Sequence, residues 1–297
     1  MECVVWDVYR NFEIILVNDG SSDGTAEKLA EFKEKTRANV QIITQENKGV
    51  SAARNAGMAA AQGKYIMFVD ADDCLSRDYI SRAIKYLDKE SPDTVACYRI
   101  RDKESLDPAW DIRKVKREDP AALMAKFTYS KKKLGFMVFI YKREIIEENR
   151  LQFTEGAKYG EDWEFTTKYL AHCQTAIVIP YYMYYYRVGE TSATRRLSYN
   201  QTDAIDAADR TSDYLDAMGH PFAGRYKKYM KNRAICSVAH RFARGNEKEL
   251  YEKLRTEYDV KGAMKFLCFD GVTDVRTRLG AAAYLISPGL FYKIVKK

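Results

Sequence analysis

The chain has 297 residues, of which 46% are hydrophobic and 31% are charged, and its formal net charge is +7. This composition is ample for a core and fits a soluble protein with one large domain or one domain plus an appendage. Its six cysteines show no CxxC or close pairing, so neither a zinc site nor a disulfide framework is indicated. No apolar run reaches the length of a membrane span, and no N-terminal export signal is evident, so a cytoplasmic location is expected.

The first two-thirds of the chain alternate apolar runs with helical patterns. Strands are predicted at 12–17, 40–44, 64–69 and 93–98, and helices at 25–35, 50–61 and about 76–89. Continuous β-branched runs separated by helices indicate an α/β fold with a mostly parallel central sheet flanked by helices. Beyond about residue 200 the pattern is helical. We therefore predict a domain at 1–199 and a helical region at 200–297.

The loop after the first predicted strand has the sequence VNDGSSDGT, at residues 17–25. Its glycines permit a tight turn, and Asp19 at the strand tip could accept hydrogen bonds from a nucleobase. Any loop between a strand and a helix can look like this, so the motif alone does not establish a site.

The second predicted strand is followed by ENKGVSAARNAG, at residues 46–57. The small side chains would let this helix lie close to the sheet. Arg54, one turn into the helix, could then face a phosphate or a base, helped by the positive field of the helix N-terminus. An ordinary surface arginine is the alternative.

Three carboxylates follow the third predicted strand, at Asp70, Asp72 and Asp73. Carboxylates crowded together repel one another, so the cluster indicates a positive partner, most simply a divalent metal that carries a phosphate. Taken alone, a polar turn that caps the next helix explains it as well. Like Asp19, the cluster is predicted at the carboxyl end of a strand, where α/β sheets bind ligands.

Two further blocks carry groups suited to catalysis. Residues 158–165, KYGEDWEF, place Glu161 and Asp162 after a glycine, where a carboxylate could act as a general base or simply occupy the first turn of a helix. Residues 186–194, YRVGETSAT, supply Arg187 and hydroxyl groups that could close over a diphosphate. Any polar loop would also supply them.

Taken in order, these blocks resemble those of the family 2 glycosyltransferases, which are inverting enzymes with a GT-A fold. The family pattern is roughly V-N-D-G-S-x-D-G-T, E-N-x-G-x-S-x-A-R-N-x-G, F-x-D-x-D-D, G-E-D-x-x-F and Y-x-Y-R with a Ser/Thr tail. Every block occurs here, over about residues 9–195.

The resemblance implies a role for each matching residue. Asp19 would bind the nucleobase, typically uracil, and Arg54 would help to hold the same nucleotide. Asp70 and Asp72 would form the DxD element, which contacts the ribose and a Mg²⁺ or Mn²⁺ ion that bridges the diphosphate.

The last two blocks would then carry the chemistry of transfer. Asp162 would deprotonate the acceptor hydroxyl, with Glu161 alongside, and Arg187 would steady the departing diphosphate. The implied function is transfer of a sugar from a nucleotide donor, typically a UDP-sugar, to a saccharide or lipid-linked acceptor in the synthesis of a bacterial surface polysaccharide.

The start of the chain departs from the family pattern. Family members usually open with a strand of the form S-I-I-I-P-V-Y-N, whereas residues 1–11 match only the end of the helix that follows it. We therefore expect a truncated start, or a chain that is poorly stable and weakly active as given, because the neighbouring strands would lose ladder partners.

Other functions remain open at this point. A nucleotidyltransferase would share the fold, but its glycine-rich basic signature is missing, and a non-catalytic nucleotide-binding or scaffold protein is a further alternative. From residue 220 onward there are 17 Lys and Arg against 7 Asp and Glu. This excess of positive charge suits a peripheral contact with anionic lipid on the inner face of the cell membrane, or simply a solvated helical surface. No nucleic-acid-binding signature is present, and we expect no nucleic-acid partner.

Overall fold

A computed structural model of the chain describes residues 11–106, 111–129, 134–187, 197–271, 273 and 275–295. Two compact units divide the chain. Unit 1 comprises residues up to 157 together with 165–188, and unit 2 comprises 158–164 together with the residues from 189 onward. The boundary expected from the sequence, between 199 and 200, stays a prediction.

The N-terminal part of unit 1 is built on two parallel strands, β1 (Glu13–Asp19) and β2 (Asn39–Gln45), joined by helix α1 (Thr25–Lys35). Helix α2 (Val50–Ala60) follows β2. A Cβ atom placed on Gly57 of α2 would lie 3.5 Å from Cγ2 of Val17. The small residues of α2 therefore let the helix lie directly on β1, as the sequence predicts.

The second sheet of unit 1 has the order β3-β7-β5-β8-β4, and β6 pairs with β8. Its strands are β3 (Tyr65–Met67), β4 (Cys74–Leu75), β5 (Thr94–Ile100), β6 (Lys116–Glu118), β7 (Phe139–Lys142) and β8 (Ala176–Tyr185). The helices between them are α3 (Tyr79–Glu90), α4 (Pro120–Tyr129) and α5 (Arg143–Glu148). Helix α6 (Glu161–Leu170) follows; its residues 161–164 belong to unit 2 and the rest to unit 1.

The α/β class and the helical C-terminal region are confirmed, but the expected mostly parallel sheet is wrong in its strand directions. Among the described strands only the β1–β2 and β5–β8 pairs are parallel, whereas β3–β7, β4–β8, β5–β7 and β6–β8 are antiparallel. A continuous apolar run reports that a strand is buried on both faces, which central strands of mixed sheets share with parallel ones. Burial therefore could not reveal direction.

Four phenylalanine rings form an aromatic cluster in the core of unit 1. Phe153 and Phe165 stack with ring centroids 4.1 Å apart and planes 10° apart. Phe68 contacts both rings edge-on, and its centroid also lies 6.0 Å from that of Phe136. Such pairs favour a single well-packed arrangement, so the groups resting on them have a rigid base.

Unit 2 is helical. Its helices are α7 (Asp203–Ala217), α8 (Ala223–Arg244), α9 (Lys248–Glu257), α10 (Val260–Phe269), α11 (Val275–Ile286) and α12 (Pro288–Val295). The 22-residue α8 is central, since α7, α9, α10 and α12 all pack against it. Within the described part of the chain, no helix combines the length and apolarity that crossing a membrane requires.

Candidate active site

Asp19 at the tip of β1 holds the loop that leads into α2. Its Oδ1 accepts hydrogen bonds from the Lys48 backbone N–H at 2.9 Å and the Gln45 side chain at 2.8 Å, and its Oδ2 accepts one from the Gly49 N–H at 2.8 Å. Burial opposes ionisation of Asp19, but these hydrogen bonds favour its charged form and together lower its pKa. Asp19 is therefore a carboxylate fixed against the N-terminus of α2.

Gly20 makes this arrangement possible. Its φ angle is +69°, and a Cβ atom at this position would lie 2.7 Å from the backbone nitrogen of Asn47. The loop after β1 and the loop after β2 are thus in direct backbone contact, which only glycine allows. Both loops together form one surface next to Asp19.

Arg54 connects α2 to the turn at residues 70–73, the aspartate turn, which contains Asp70, Asp72 and Asp73. Its Nη2 lies 3.2 Å from Oδ1 of Asp70, and its side chain is only 13% exposed. The guanidinium stacks on aromatic rings of the core, with its Cζ 4.2 Å from the centroid of Phe136 and 5.3 Å from that of Phe153. The surface-arginine alternative does not describe this residue, because a planar cation held on two rings and one carboxylate has a fixed direction.

The neighbouring Asn55 fixes one of those rings from the backbone side. Its Nδ2 donates to the Phe153 carbonyl and its Oδ1 accepts from the Phe153 N–H, both at 2.9 Å. Arg54 and Asn55 therefore both contact Phe153, which lies about 100 residues further along the chain. This contact positions the aromatic base on which Arg54 rests.

The three carboxylates of the aspartate turn have different surroundings. The turn is closed by a hydrogen bond from the Asp73 N–H to the Asp70 carbonyl at 3.0 Å. Asp70 is half-buried and pairs with Arg54, Asp72 is exposed, and Asp73 is 4% exposed. The turn therefore presents Asp70 and Asp72 outward and directs Asp73 into the protein.

Asp73 ties the turn to the end of β8. Its Oδ2 accepts a hydrogen bond from the Tyr184 hydroxyl at 2.7 Å, and its Oδ1 accepts one from the Arg187 N–H at 2.8 Å. The Tyr184 hydroxyl in turn accepts from the Asp70 N–H at 3.3 Å. Burial raises the pKa of Asp73 to about 6 despite these hydrogen bonds, and repulsion from Asp70 and Asp72 adds to the effect.

The Arg187 guanidinium is exposed, and the expected diphosphate contact of this residue stays a prediction. The rest of the hydroxyl-bearing block predicted from the sequence, residues 188–194, lies outside the described residues. Immediately before that segment, the backbone N–H of Arg187 donates a hydrogen bond to Asp73 of the aspartate turn.

The donor set at the aspartate turn fits a divalent ion that is shared with a phosphate ligand. Among the described residues, no three His, Cys, Asp or Glu side chains cluster in a way that could enclose a metal. Mg²⁺ in phosphate-processing sites needs no such cage, since one or two carboxylates together with phosphate oxygens and waters complete its shell. Asp72 and Asp70 are the outward-facing carboxylates of the turn and would be its oxygen donors to such an ion.

The block at residues 158–165 is split between the two units, and its first seven residues belong to unit 2. Glu161 and Asp162 open α6, where Glu161 is 8% exposed and Asp162 is half-buried. Oδ1 of Asp162 accepts a hydrogen bond from the Trp163 N–H at 2.8 Å. Both carboxylates are thus first-turn residues, as the structural alternative required, and a base role for Asp162 remains compatible with its partial exposure.

Gly160 and Glu164 secure this block in unit 2. Gly160 has a φ angle of +89°, and a Cβ atom there would lie 2.9 Å from Cβ of Ala207 and 3.0 Å from Cα of Ala204. The Glu164 carboxylate is 1% exposed and is bound by the Arg210 guanidinium through Nε at 3.0 Å and Nη2 at 2.7 Å. The glycine and the second glutamate of the motif are therefore contacts to α7.

Sequence reasoning missed several residues that build this site. They are Asn55, Phe136, Phe153 and Tyr184. The sequence places Asp73 in the carboxylate cluster expected beside a metal, whereas the structure buries it as an anchor of the turn. A usable signal existed for Asn55, which is part of a recognised motif, but nothing local marks the two phenylalanines or the tyrosine as partners of residues far away in the chain.

The chain matches known proteins over most of its length. Residues 5–150 match the family model described as "Glycosyl transferase family 2". The chain is 28% identical to "Glycosyltransferase GlyA" of Streptococcus pneumoniae over 232 residues, which is 74% of this chain and 33% of the relative. It is 32% identical to "Putative glycosyltransferase EpsH" of Bacillus subtilis over 193 residues, which is 63% of this chain and 55% of the relative. This chain therefore spans between a third and about half of these relatives.

Among solved structures, the chain resembles a crystal structure of Staphylococcus aureus TarS, residues 1–349, in complex with UDP-GlcNAc. The TM-score is 0.68 at 18% sequence identity, and the alignment covers 99% of this chain and 84% of the other. A UDP complex of the same protein gives a TM-score of 0.62. At this identity the likeness establishes the GT-A fold.

Proposed function

This chain belongs to glycosyl transferase family 2, and from that premise we propose that it transfers a sugar, with inversion, from a UDP-sugar to a saccharide or lipid-linked acceptor. The observation that carries the proposal is the chain of contacts through α2. Asp19 holds the N-terminus of this helix and Arg54 binds Asp70, so two motifs that are distant in sequence flank one helix.

The donor would be held by residues of unit 1. Asp19 would accept a hydrogen bond from the uracil, Arg54 would contact the nucleotide, and Arg187 would meet the diphosphate. UDP-GlcNAc is the first donor to test, because the fold neighbour from Staphylococcus aureus was crystallised with it. A relative of 29% identity is named "Succinoglycan biosynthesis protein ExoO", which supports an acceptor in polysaccharide synthesis.

Asp70 and Asp72 would hold a Mg²⁺ or Mn²⁺ ion. When bound, such an ion neutralises negative charge on the diphosphate. The protein's own contribution at this point is to keep the two carboxylates facing outward, because Asp73 and Tyr184 anchor the turn from the inside.

The proposed transfer needs one base and one leaving group. The acceptor oxygen attacks the anomeric carbon, and its proton passes to Asp162, with Glu161 alongside. The bond between that carbon and the diphosphate oxygen breaks, and its electron pair leaves with UDP. Attack on the face opposite the leaving group inverts the anomeric centre and requires no nucleophilic carboxylate.

The acceptor and the place of action follow from the same proposal. A saccharide or lipid-linked acceptor in polysaccharide synthesis is extended on the cytoplasmic side of the membrane, where the protein would be located. The excess of Lys and Arg after residue 220 supports a peripheral contact with anionic lipid.

The proposal is tested by measuring UDP release from a panel of nucleotide sugars, starting with UDP-GlcNAc, with Mn²⁺ or with EDTA. We expect release that requires the metal, and an Asp162→Asn variant that still binds UDP but transfers roughly 100-fold more slowly. Asp88→Asn, an exposed residue of α3, is the control and should match the parent protein. UDP binding without release from any donor, with acceptors supplied, would instead favour a non-catalytic nucleotide-binding protein.

A further inference from the structure

Two neighbouring helices of unit 2 leave large apolar side chains in solvent. Phe269 at the end of α10 is 80% exposed, and on α11 Val275, Leu279 and Ile286 are 72%, 67% and 79% exposed. At 100° per residue the three α11 side chains project within about 40° of one another. Single exposed apolar residues are ordinary, but an aligned row of three on one helix is typical of a contact surface.

Helix α10, which packs against α11, carries positive charge beside Phe269. On α10 the exposed Lys261 and Lys265 precede Phe269 at intervals of four residues, so the three share a helix face. Beside them lies a surface cavity of about 410 Å³ lined by Lys228, Gly262, Lys265, Phe266, Phe269 and Asp270. The Lys228 ammonium lies 5.6 Å from the centre of the Phe266 ring. Cations and aromatic rings therefore alternate along one rim.

The single carboxylate of that cavity does not cancel this charge at the surface. The Asp270 side chain is 2% exposed, and its Oδ1 accepts a hydrogen bond from the Thr273 N–H at 2.9 Å. The guanidinium of Arg278 lies 3.9 Å from the same oxygen. Asp270 thus secures the turn between α10 and α11, while the two lysines of the cavity face solvent.

We propose that the exposed side chains Lys261, Lys265 and Phe269 of α10 and Val275, Leu279 and Ile286 of α11 act as one face that binds the surface of an anionic phospholipid bilayer. It deepens the membrane contact in the proposed function by naming the surface that makes it. Interfacial binding combines insertion of aromatic and aliphatic side chains with attraction of lysines to acidic headgroups, and this face offers both.

The charge also decides against a second copy of the chain as the occupant. A two-fold contact would place two copies of the same lysine-bearing surface against each other, and the region from residue 220 onward carries 17 Lys and Arg against 7 Asp and Glu. An anionic bilayer complements that charge.

The test is flotation of the full chain with vesicles of phosphatidylcholine and phosphatidylglycerol at 3:1, compared with phosphatidylcholine alone. We expect binding to the anionic vesicles only, weakened at least fivefold by 0.5 M NaCl because salt screens the lysines. Leu279→Glu with Ile286→Glu should weaken binding at least tenfold, as should Lys261→Glu with Lys265→Glu. Equal binding to both vesicle types, or none, would overturn the proposal.

Matched controls lie in the same unit. Met218→Glu changes an exposed apolar residue outside this face, and Arg244→Glu with Lys248→Glu makes the same change in charge elsewhere. Both should bind vesicles like the parent protein, and losses equal to those of the test variants would contradict the proposal. The proposal would also be contradicted if the parent protein bound no vesicles but formed a dimer, and if the double variant Leu279→Glu with Ile286→Glu dissociated that dimer.

Folding and function are followed separately. Thermal unfolding identifies variants that fail to fold, and titration with UDP in the absence of vesicles measures the UDP affinity of the proposed donor site. Protein that binds UDP but no vesicles overturns this inference alone, whereas protein that binds vesicles but neither binds nor hydrolyses any nucleotide sugar overturns the proposed function alone.

Discussion

Asp73 is the carboxylate on which the geometry of the aspartate turn depends. It is buried, and two donors from the end of β8, the Tyr184 hydroxyl and the Arg187 N–H, hold it. Replacing Tyr184 by Phe removes a donor to Asp73 and an acceptor for the Asp70 N–H while keeping the ring. Because a buried polar group left unpaired costs about 1–3 kcal/mol, we expect Tyr184→Phe to lower the free energy of unfolding by that amount. Chemical denaturation measures it.

The same change should weaken UDP binding, since Asp70 and Asp72 would no longer be held in place. The neighbouring Tyr185 is half-buried and offers a matched control, because Tyr185→Phe removes the same hydroxyl group one residue away. Equal stability and equal UDP affinity in the two variants would show that the Tyr184 hydroxyl does not position the turn.

The sequence could locate this site but could not assign its residues to inside and outside. The motif shows three carboxylates, and only the fold reveals that Asp73 faces inward, because its partner Tyr184 lies 111 residues away. The same holds for Arg54, whose direction is fixed by Phe136 and Phe153. Motif spacing reports chemistry close in the chain, whereas these contacts arise from packing between distant segments.

At the scale of elements, Gly160 sets how closely the start of α6 approaches α7. A side chain there would overlap Ala204 and Ala207, and the φ angle of +89° disfavours any residue other than glycine. We expect Gly160→Ala to destabilise the protein by roughly 1–3 kcal/mol more than Gly219→Ala. Gly219 also has positive φ, at +63°, but nothing lies within 4 Å of its Cβ position. Thermal and denaturant unfolding of the pair isolate the packing effect; equal losses would contradict it.

The ion pair between Glu164 of α6 and Arg210 of α7 is a second contact of this kind. Glu164 is buried whereas Arg210 is 37% exposed, so we expect Glu164→Gln to cost about 2 kcal/mol, below the range for fully buried pairs. Glu252→Gln, which breaks the exposed pair with Arg255, should cost less than about 1 kcal/mol. Denaturant unfolding measures the free energy of unfolding of both variants. A loss for Glu164→Gln no greater than that for Glu252→Gln would contradict a stabilising role for the Glu164–Arg210 pair.

Helices were predictable at this scale and strand directions were not. The sequence places α1 at 25–35, which is its observed range, and α2 within one residue, because a glycine precedes each helix and the helical period indicates its length. Direction depends on which strands pair after the whole chain has folded. The antiparallel pairing of β3 with β7 joins segments more than 70 residues apart and leaves no local trace.

At the scale of the whole molecule, the residues proposed to bind the donor, Asp19, Arg54, Asp70 and Asp72, belong to unit 1, and the proposed base Asp162 belongs to unit 2. The helical unit also contains the whole basic region from residue 220 onward. The uneven charge is predictable from the sequence, but the exposure of the apolar row on α11 depends on how the helices of unit 2 pack.

The central claim is that the aspartate turn of unit 1 binds the diphosphate of a UDP-linked donor through a divalent metal. Calorimetric titration of UDP into the protein, with Mn²⁺ and with EDTA, tests it most directly. We expect binding that requires Mn²⁺ and that weakens at least tenfold, or about 1.4 kcal/mol, in Asp72→Ala while Asp88→Ala keeps the parent affinity. UDP binding that is equally tight with EDTA and in the Asp72→Ala variant would contradict the account.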